Sequence, residues 1–260
     1  MDFSGDGEMA LIRRAYEGRR TALLTGPAAI RVMGFATLGR VEVVDLVLRG
    51  NARPAASGGS HVRYRSGRVD PLHWRSYKGF DVVSLVMALF DTFRYHGYLP
   101  ALVSVESALQ HPDVTKESLL REARALPRAR GKRGFVEMIE GASESSESVM
   151  ETLGRHQLVD AALPGVVSIE QQVSFHYVDF NGRPRKGRAD MVINGRVFIE
   201  FDGRIKERDD HVAAVRHERE RERWLLDGSR VLIRVRWEEL QSGEFLRKVE
   251  RAIQLLGDTP

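Results

Sequence analysis

The chain contains no cysteine, which excludes disulfides, thiolate zinc sites and cysteine nucleophiles together. It also lacks any long apolar run. The longest apolar stretches are broken by charge within about ten residues, where a membrane span needs about 20. The start, Met1-Asp2-Phe3-Ser4-Gly5-Asp6-Gly7-Glu8, is acidic and without an apolar core, unlike a signal peptide. A cytoplasmic protein without membrane partners is therefore the expectation. Nor does one sign of charge dominate: 40 Lys and Arg against 36 Asp and Glu leave a net +4. What is present is ordinary for a soluble globular protein, 42% apolar and 29% charged. A length of 260 residues suits one large domain or two small ones, either able to bury a core.

A small, polar segment at 141–148 divides the chain. Before it, residues 1–141 read as an α+β region: amphipathic helices at 9–16 and 27–33, alternating strands at 41–48 and 61–65, a strongly apolar helix at 81–95, and further helices at 101–110 and 115–126. Its histidines, His61, His73, His96 and His111, are scattered and read as surface residues. After it, residues 142–260 read as helix (148–162), strand (166–180), hairpin (188–203), helix (209–227), strand (230–237) and helix (238–256). That order makes an α/β unit with a mixed β-sheet flanked by helices.

The hairpin carries the densest chemistry. Two apolar strands flank Asn194-Gly195, a strong hairpin signal. Pairing about that turn brings Asp190 toward Glu200 and Asp202, and the last two, being two apart in one strand, share a face. Carboxylates gathered at one sheet end repel unless a cation compensates them. A hard ion such as Mg²⁺ or Mn²⁺ is the natural candidate, and pairing with arginines is the competing one.

Other charges surround this segment. Extrapolating the apolar face Met150, Gly154, Leu158, Ala161 by one turn puts Glu147 on it, either as a favourable N-terminal charge or as a further carboxylate over the sheet. Glu218 and Glu222 interrupt the apolar stripe of the 209–227 helix as like charges four apart. They call for an ion-pair network with Arg188, Arg221 or Arg234, or for a role in supporting a water or metal ligand. Lys206, just past Asp202, is either an uninformative loop lysine or one that near a phosphate can stabilise developing charge or help orient an attacking water. Two basic groups, one from Arg121 and Arg124 to Arg128, Arg130, Lys132 and Arg133, the other Arg183, Arg185, Lys186 and Arg188, suit a phosphodiester backbone.

The order Glu147, Asp190, Glu200-Phe201-Asp202-Gly203, Lys206 on helix, strand, strand and loop resembles the PD-(D/E)XK nuclease superfamily. Glu218-Arg219-Glu220-Arg221-Glu222 and the strand ending at Trp237 add a likeness to its Vsr-like branch, related to very-short-patch repair endonucleases. The likeness covers roughly 143–256, and the whole chain resembles AbiEi-type antitoxins that carry such a domain. It departs from them in having no clear winged-helix pattern at its start, and from the superfamily in having Glu200-Phe201-Asp202 where Glu-x-Lys is common. The resemblance implies a restriction-endonuclease-like fold and a Mg²⁺- or Mn²⁺-dependent endonuclease acting on DNA, in repair or defence. Asp190 and Glu200 would be its metal ligands. Glu147, Asp202 and Lys206 would complete its catalytic set. The alternative it implies is a non-catalytic DNA-binding, antitoxin-type regulator with a toxin gene as neighbour.

Overall fold

The computed structural model describes residues 5–50, 60–66, 69, 73–179, 182–202 and 229–257. It is an α/β protein of two compact units, Met1–Glu144 and Ser145–Pro260, dividing three residues after the break read from the sequence.

The first unit contains α1 (Gly5–Tyr16), β1 (Ala22–Leu24), α2 (Gly26–Met33), β2 (Val44–Leu48), β3 (Val62–Tyr64), β4 (Trp74–Tyr77), β5 (Phe80–Val83), α3 (Leu85–His96), α4 (Tyr98–Leu109), α5 (Lys116–Ala125) and α6 (Lys132–Gly141). Its five strands form a mixed sheet in the order β3-β2-β1-β5-β4. The apolar stretch at 81–95 is not one helix. Its first residues are a strand, with Val82 opposite Leu24 of β1 and Arg75 of β4. The β-branched pair Val82-Val83 favours a pleated, doubly buried position, and both side chains are fully buried. Short strands such as β1 and β4 carry too few residues to show a period, so they were not legible before the sheet assembled.

This unit also buries charge. Asp45, on β2, accepts from Arg65 Nε at 2.8 Å and Nη2 at 3.2 Å, and lies 2.5 Å from His96 Nε2. Asp91, on α3, accepts from the Thr25 hydroxyl at 2.6 Å, and burial pushes its carboxyl above the usual range. His96 is thus part of a polar network, not the isolated surface residue expected. Gly26, with φ +59°, lets α2 start against this network, since a Cβ there would lie 3.1 Å from the Asp45 carboxylate.

The second unit runs α7 (Val149–Ala161), β6 (Ile169–Val178), β7 (Pro184–Ile193), β8 (Val197–Phe201), β9 (Val231–Val235), α8 (Trp237–Gln241) and α9 (Glu244–Gly257). Its sheet order is β6-β7-β8-β9, antiparallel except for the last pair. The expected final helix is two, divided by Gly243 at φ 73°. Met150 and Leu158 of α7 and Phe245, Val249 and Ala252 of α9 pack on Met191, Ile193, Ile199 and Val235. A smaller cluster holds Phe175, Tyr177, Ala189, Val192 and Phe198.

Candidate functional site

The hairpin register decides which acids meet. Asn194 and Gly195 both have positive φ, 52° and 67°, but Arg196 belongs to the loop as well, and Ile193 pairs with Val197. The ladder then runs Val192 with Phe198 and Met191 with Ile199; one further step sets Asp190 opposite Glu200. A two-residue loop would have put Ile199 opposite Asp190 and turned Glu200 to the other face, because strand side chains alternate. Asn194 fixes this loop. Its side-chain oxygen accepts from Val167 and Ser168 N–H at 2.8 and 3.0 Å, and its amide donates to Gly165 O at 2.6 Å.

Asp190 sits where the alternation of β7 breaks. Ala189 and Val192 share one cluster while Met191 and Ile193 share the other, and the facing Gln172 has φ 54°. No residue is inserted, since Gln171 with Met191 and Val173 with Ala189 keep one register on either side. Here the Asp190 carboxylate accepts from the Phe201 N–H at 2.8 Å, the peptide joining Glu200 to Phe201. Glu200 in turn lies 3.4 Å from Arg234 Nε, its register partner on β9. Asp202 is exposed, and its N–H donates to Val235 O at 2.9 Å, extending the parallel ladder.

Glu147 does not take the inward place. Ser148 is the N-cap of α7, with extended φ/ψ of −143° and 161° and its hydroxyl accepting from Glu151 N–H. Glu147 therefore precedes the helix, and the helical period does not reach it. It is exposed and holds Arg188 through both guanidinium ends at 2.8 Å. That pair keeps the Arg188 pKa above its ordinary value, chiefly through these hydrogen bonds. Ala161, expected on the apolar face, is exposed.

The buried acid is Glu151. Its carboxylate accepts from Glu147 N–H at 2.9 Å and Gln172 Nε2 at 2.7 Å. Burial raises its pKa, and the negative charge of Asp190 adds to the rise. Sequence reasoning passed over it, although Ser148-Val149-Met150-Glu151 has the Ser-x-x-Glu spacing of a capping box. Arg188 is bound by Glu147 and feels the charges of Asp190 and Glu151 only through space, so its guanidinium lies in acidic surroundings near the start of α7.

The basic residues separate into engaged and open ones. Arg185 pairs with Asp179 at 3.1 Å, Arg133 with Glu137 at 2.7 Å and Arg124 with Glu140 at 2.8 Å. Lys132 donates to the carbonyls of Arg124 and Leu126, closing the end of α5. Arg128, Arg130, Arg183 and Lys186 are exposed. Lys206, Glu218, Glu222 and the expected 209–227 helix lie outside the described residues.

The donor set at Asp190 and Glu200 fits a hard divalent cation, which takes one or two carboxylates and leaves its remaining positions to water and substrate phosphate. Among the described residues, no group of three or more His, Asp and Glu is placed to hold a metal ion. No protein-family model matches the chain, and no curated protein matches it.

Proposed function

We propose that the second unit is a metal-dependent DNA endonuclease that hydrolyses phosphodiester bonds with Mg²⁺ or Mn²⁺, in DNA repair or defence. The observation that carries this reading is the Asp190 carboxylate, turned out of the strand's alternation onto the peptide beside Glu200, with Arg188 and a buried acid against it. Asp190 and Glu200 would hold the metal. When bound, the ion would polarise the phosphoryl oxygen and acidify a water. Asp190 also anchors the Phe201 amide, so one residue would fix both the ligand and the strand that carries its partner. Arg188, held in one geometry by Glu147, would lie beside the acids and meet an incoming phosphate. Asp202 is open to solvent, and Asp202 and Lys206 would orient or activate the attacking water. The exposed arginines of both basic groups would track the DNA backbone without reading sequence.

A second reading rests on the two ion pairs Glu147–Arg188 and Glu200–Arg234. If these arginines neutralise the acids permanently, the unit is a DNA-binding, antitoxin-type regulator beside a toxin gene, with a nuclease-like fold and no chemistry.

The test is a thermal-shift titration with Mn²⁺ and Mg²⁺, with and without duplex DNA, on wild type and Asp190→Asn, followed by a nicking assay. Asparagine still accepts from the Phe201 amide, so the variant keeps its fold. At a tenfold excess of metal over its dissociation constant, the folded state gains about 1.4 kcal/mol. Stabilisation and nicking that are both lost in Asp190→Asn support the nuclease. DNA binding with no metal response in either protein supports the regulator, and nicking unchanged by the substitution overturns the assignment of Asp190.

A further inference from the structure

The β6–β7 ribbon sorts its residues by face. Ser174, His176 and Val178 stand opposite Arg188, Lys186 and Pro184, and all six are exposed. Val173, Phe175 and Tyr177 stand opposite Ala189, Gly187 and Arg185 on the inner face. None of these six residues is acidic, and among the described residues the one acid bonded to them is Glu147, on Arg188. On the inner face, buried Asp179 accepts from Arg185 Nε at 3.1 Å and from the Arg183 N–H at 2.9 Å, so the inward guanidinium is neutralised within the ribbon.

The ribbon is anchored firmly. The Phe175 ring lies over Gly187 so closely that a Cβ there would be 2.5 Å from it. The same ring meets Phe198 of β8 edge-on, with centroids 5.5 Å apart. An outer face held this way is presented with little conformational entropy left to lose, which favours binding. Lysine on an exposed sheet edge also guards against strand pairing between molecules, so the charge by itself is not decisive. Its direction is: along β7 the outer row runs from Lys186 to Arg188, two residues before Asp190 on the same strand.

From this geometry we infer that the outer face of the β6–β7 ribbon lies along the backbone of duplex DNA, His176 and Lys186 contacting phosphates on one side of the bond held at Asp190. The inference rests on the nuclease reading above and adds a side and a distance to it. Lys186 is four residues from Asp190 on one strand, about 13 Å at roughly 3.3 Å per residue. At about 3.4 Å per base pair, that is about four base pairs. Phosphate contacts of this kind set position without reading bases. Two of the four basic residues first grouped together thus have other work, Arg185 inside the ribbon and Arg188 at the acids.

The experiment uses the full chain with a fluorescent duplex in EDTA, so that binding is read without cleavage, on wild type, Lys186→Gln and His176→Gln. Both side chains are exposed, and unchanged circular dichroism would establish that the variants fold. Loss of the cationic Lys186 contact lowers the slope of log affinity against log salt by about 0.9, whereas His176→Gln should weaken binding at every salt concentration. Between 50 and 200 mM salt, the affinity of Lys186→Gln should therefore fall about 3.5-fold less than that of wild type. A second series shortens the duplex on either side of the position nicked in Mn²⁺. Affinity should drop when fewer than about four base pairs remain on one side only, and that drop should be absent in Lys186→Gln. An unchanged salt slope in Lys186→Gln, in a protein that binds and nicks DNA, would overturn the ribbon contact and leave the nuclease reading standing. A wild type that binds no duplex DNA, or prefers duplex RNA, overturns both.

Discussion

Gly154 lies inside α7 against Phe201, the residue whose amide Asp190 holds. A Cβ at Gly154 would fall 2.3 Å from Phe201 Cζ and 2.5 Å from Cε1. Ordinary contact begins near 3.4 Å, so the ring must retreat by about 1 Å, and Phe245 stands behind it at a centroid distance of 5.7 Å. Overpacking of this kind costs about 1–3 kcal/mol. Alanine in a helix interior returns about 1 kcal/mol relative to glycine. Gly154→Ala should therefore be destabilised by a net ~0–2 kcal/mol, whereas an uncrowded site would be stabilised by about 1 kcal/mol. Urea unfolding of wild type, Gly154→Ala, Phe201→Leu and the double variant checks this. The smaller side chain at 201 should make the alanine favourable, giving a coupling of about 0.5–3 kcal/mol. If Gly154→Ala alone is more stable than wild type by a full kcal/mol, α7 and β8 do not meet as described. The nuclease reading adds a consequence: a displaced Phe201 drags the peptide next to Glu200, so the stabilisation by Mn²⁺ should shrink in Gly154→Ala.

Burial raises the carboxyl pKa of Asp91, and of Glu151 with help from Asp190, so the folded state holds these protons to higher pH than the unfolded state. Stability from this source is present at low pH and is lost as pH rises from the ordinary carboxyl value of about 4 through the raised native ones; Asp91→Asn with Glu151→Gln should flatten that fall in urea midpoints, and an unchanged slope would refute it. Asn194→Ala removes three hydrogen bonds, each worth about 1 kcal/mol, and strains a residue at φ 52° by a further ~1–2 kcal/mol. Asn194→Gly should recover only the strain, and an alanine variant within 1 kcal/mol of wild type in denaturant melts would overturn the role of this side chain.

Periodicity marked most helices that bury one face and the strand–hairpin–strand order of the second unit, while the small, polar segment at 141–148 marked the division of the chain. Those features follow from local spacing, 3.6 for a helix and 2 for a strand, although the stretches 81–95 and 238–256 each form two elements. The candidate acids on the hairpin were legible for the same reason: Glu200 and Asp202 are two apart in one strand. Four things were not. Helical spacing places Glu147 on the inner face, but Ser148 starts the helix after it, and a cap is a backbone conformation and not a period. The basic group at 183–188 looked uniform, yet strand alternation sends Arg185 to Asp179 and Lys186 to solvent.

The buried network of Asp45, Arg65 and His96 is the clearest case. Arg65 and His96 lie 20 and 51 residues from Asp45, so no local window contains it. Only the packing of the end of α3 against β2 and the residue after β3 brought them together. The same holds for the register that sets Asp190 by the Glu200–Phe201 peptide, where one extra loop residue, Arg196, chooses the face. The sequence by itself determined which elements form and which face of each is apolar, because those depend on neighbours along the chain. The tertiary structure alone decided which charges meet, because that depends on pairing between strands and on a carboxylate finding its donor across the sheet.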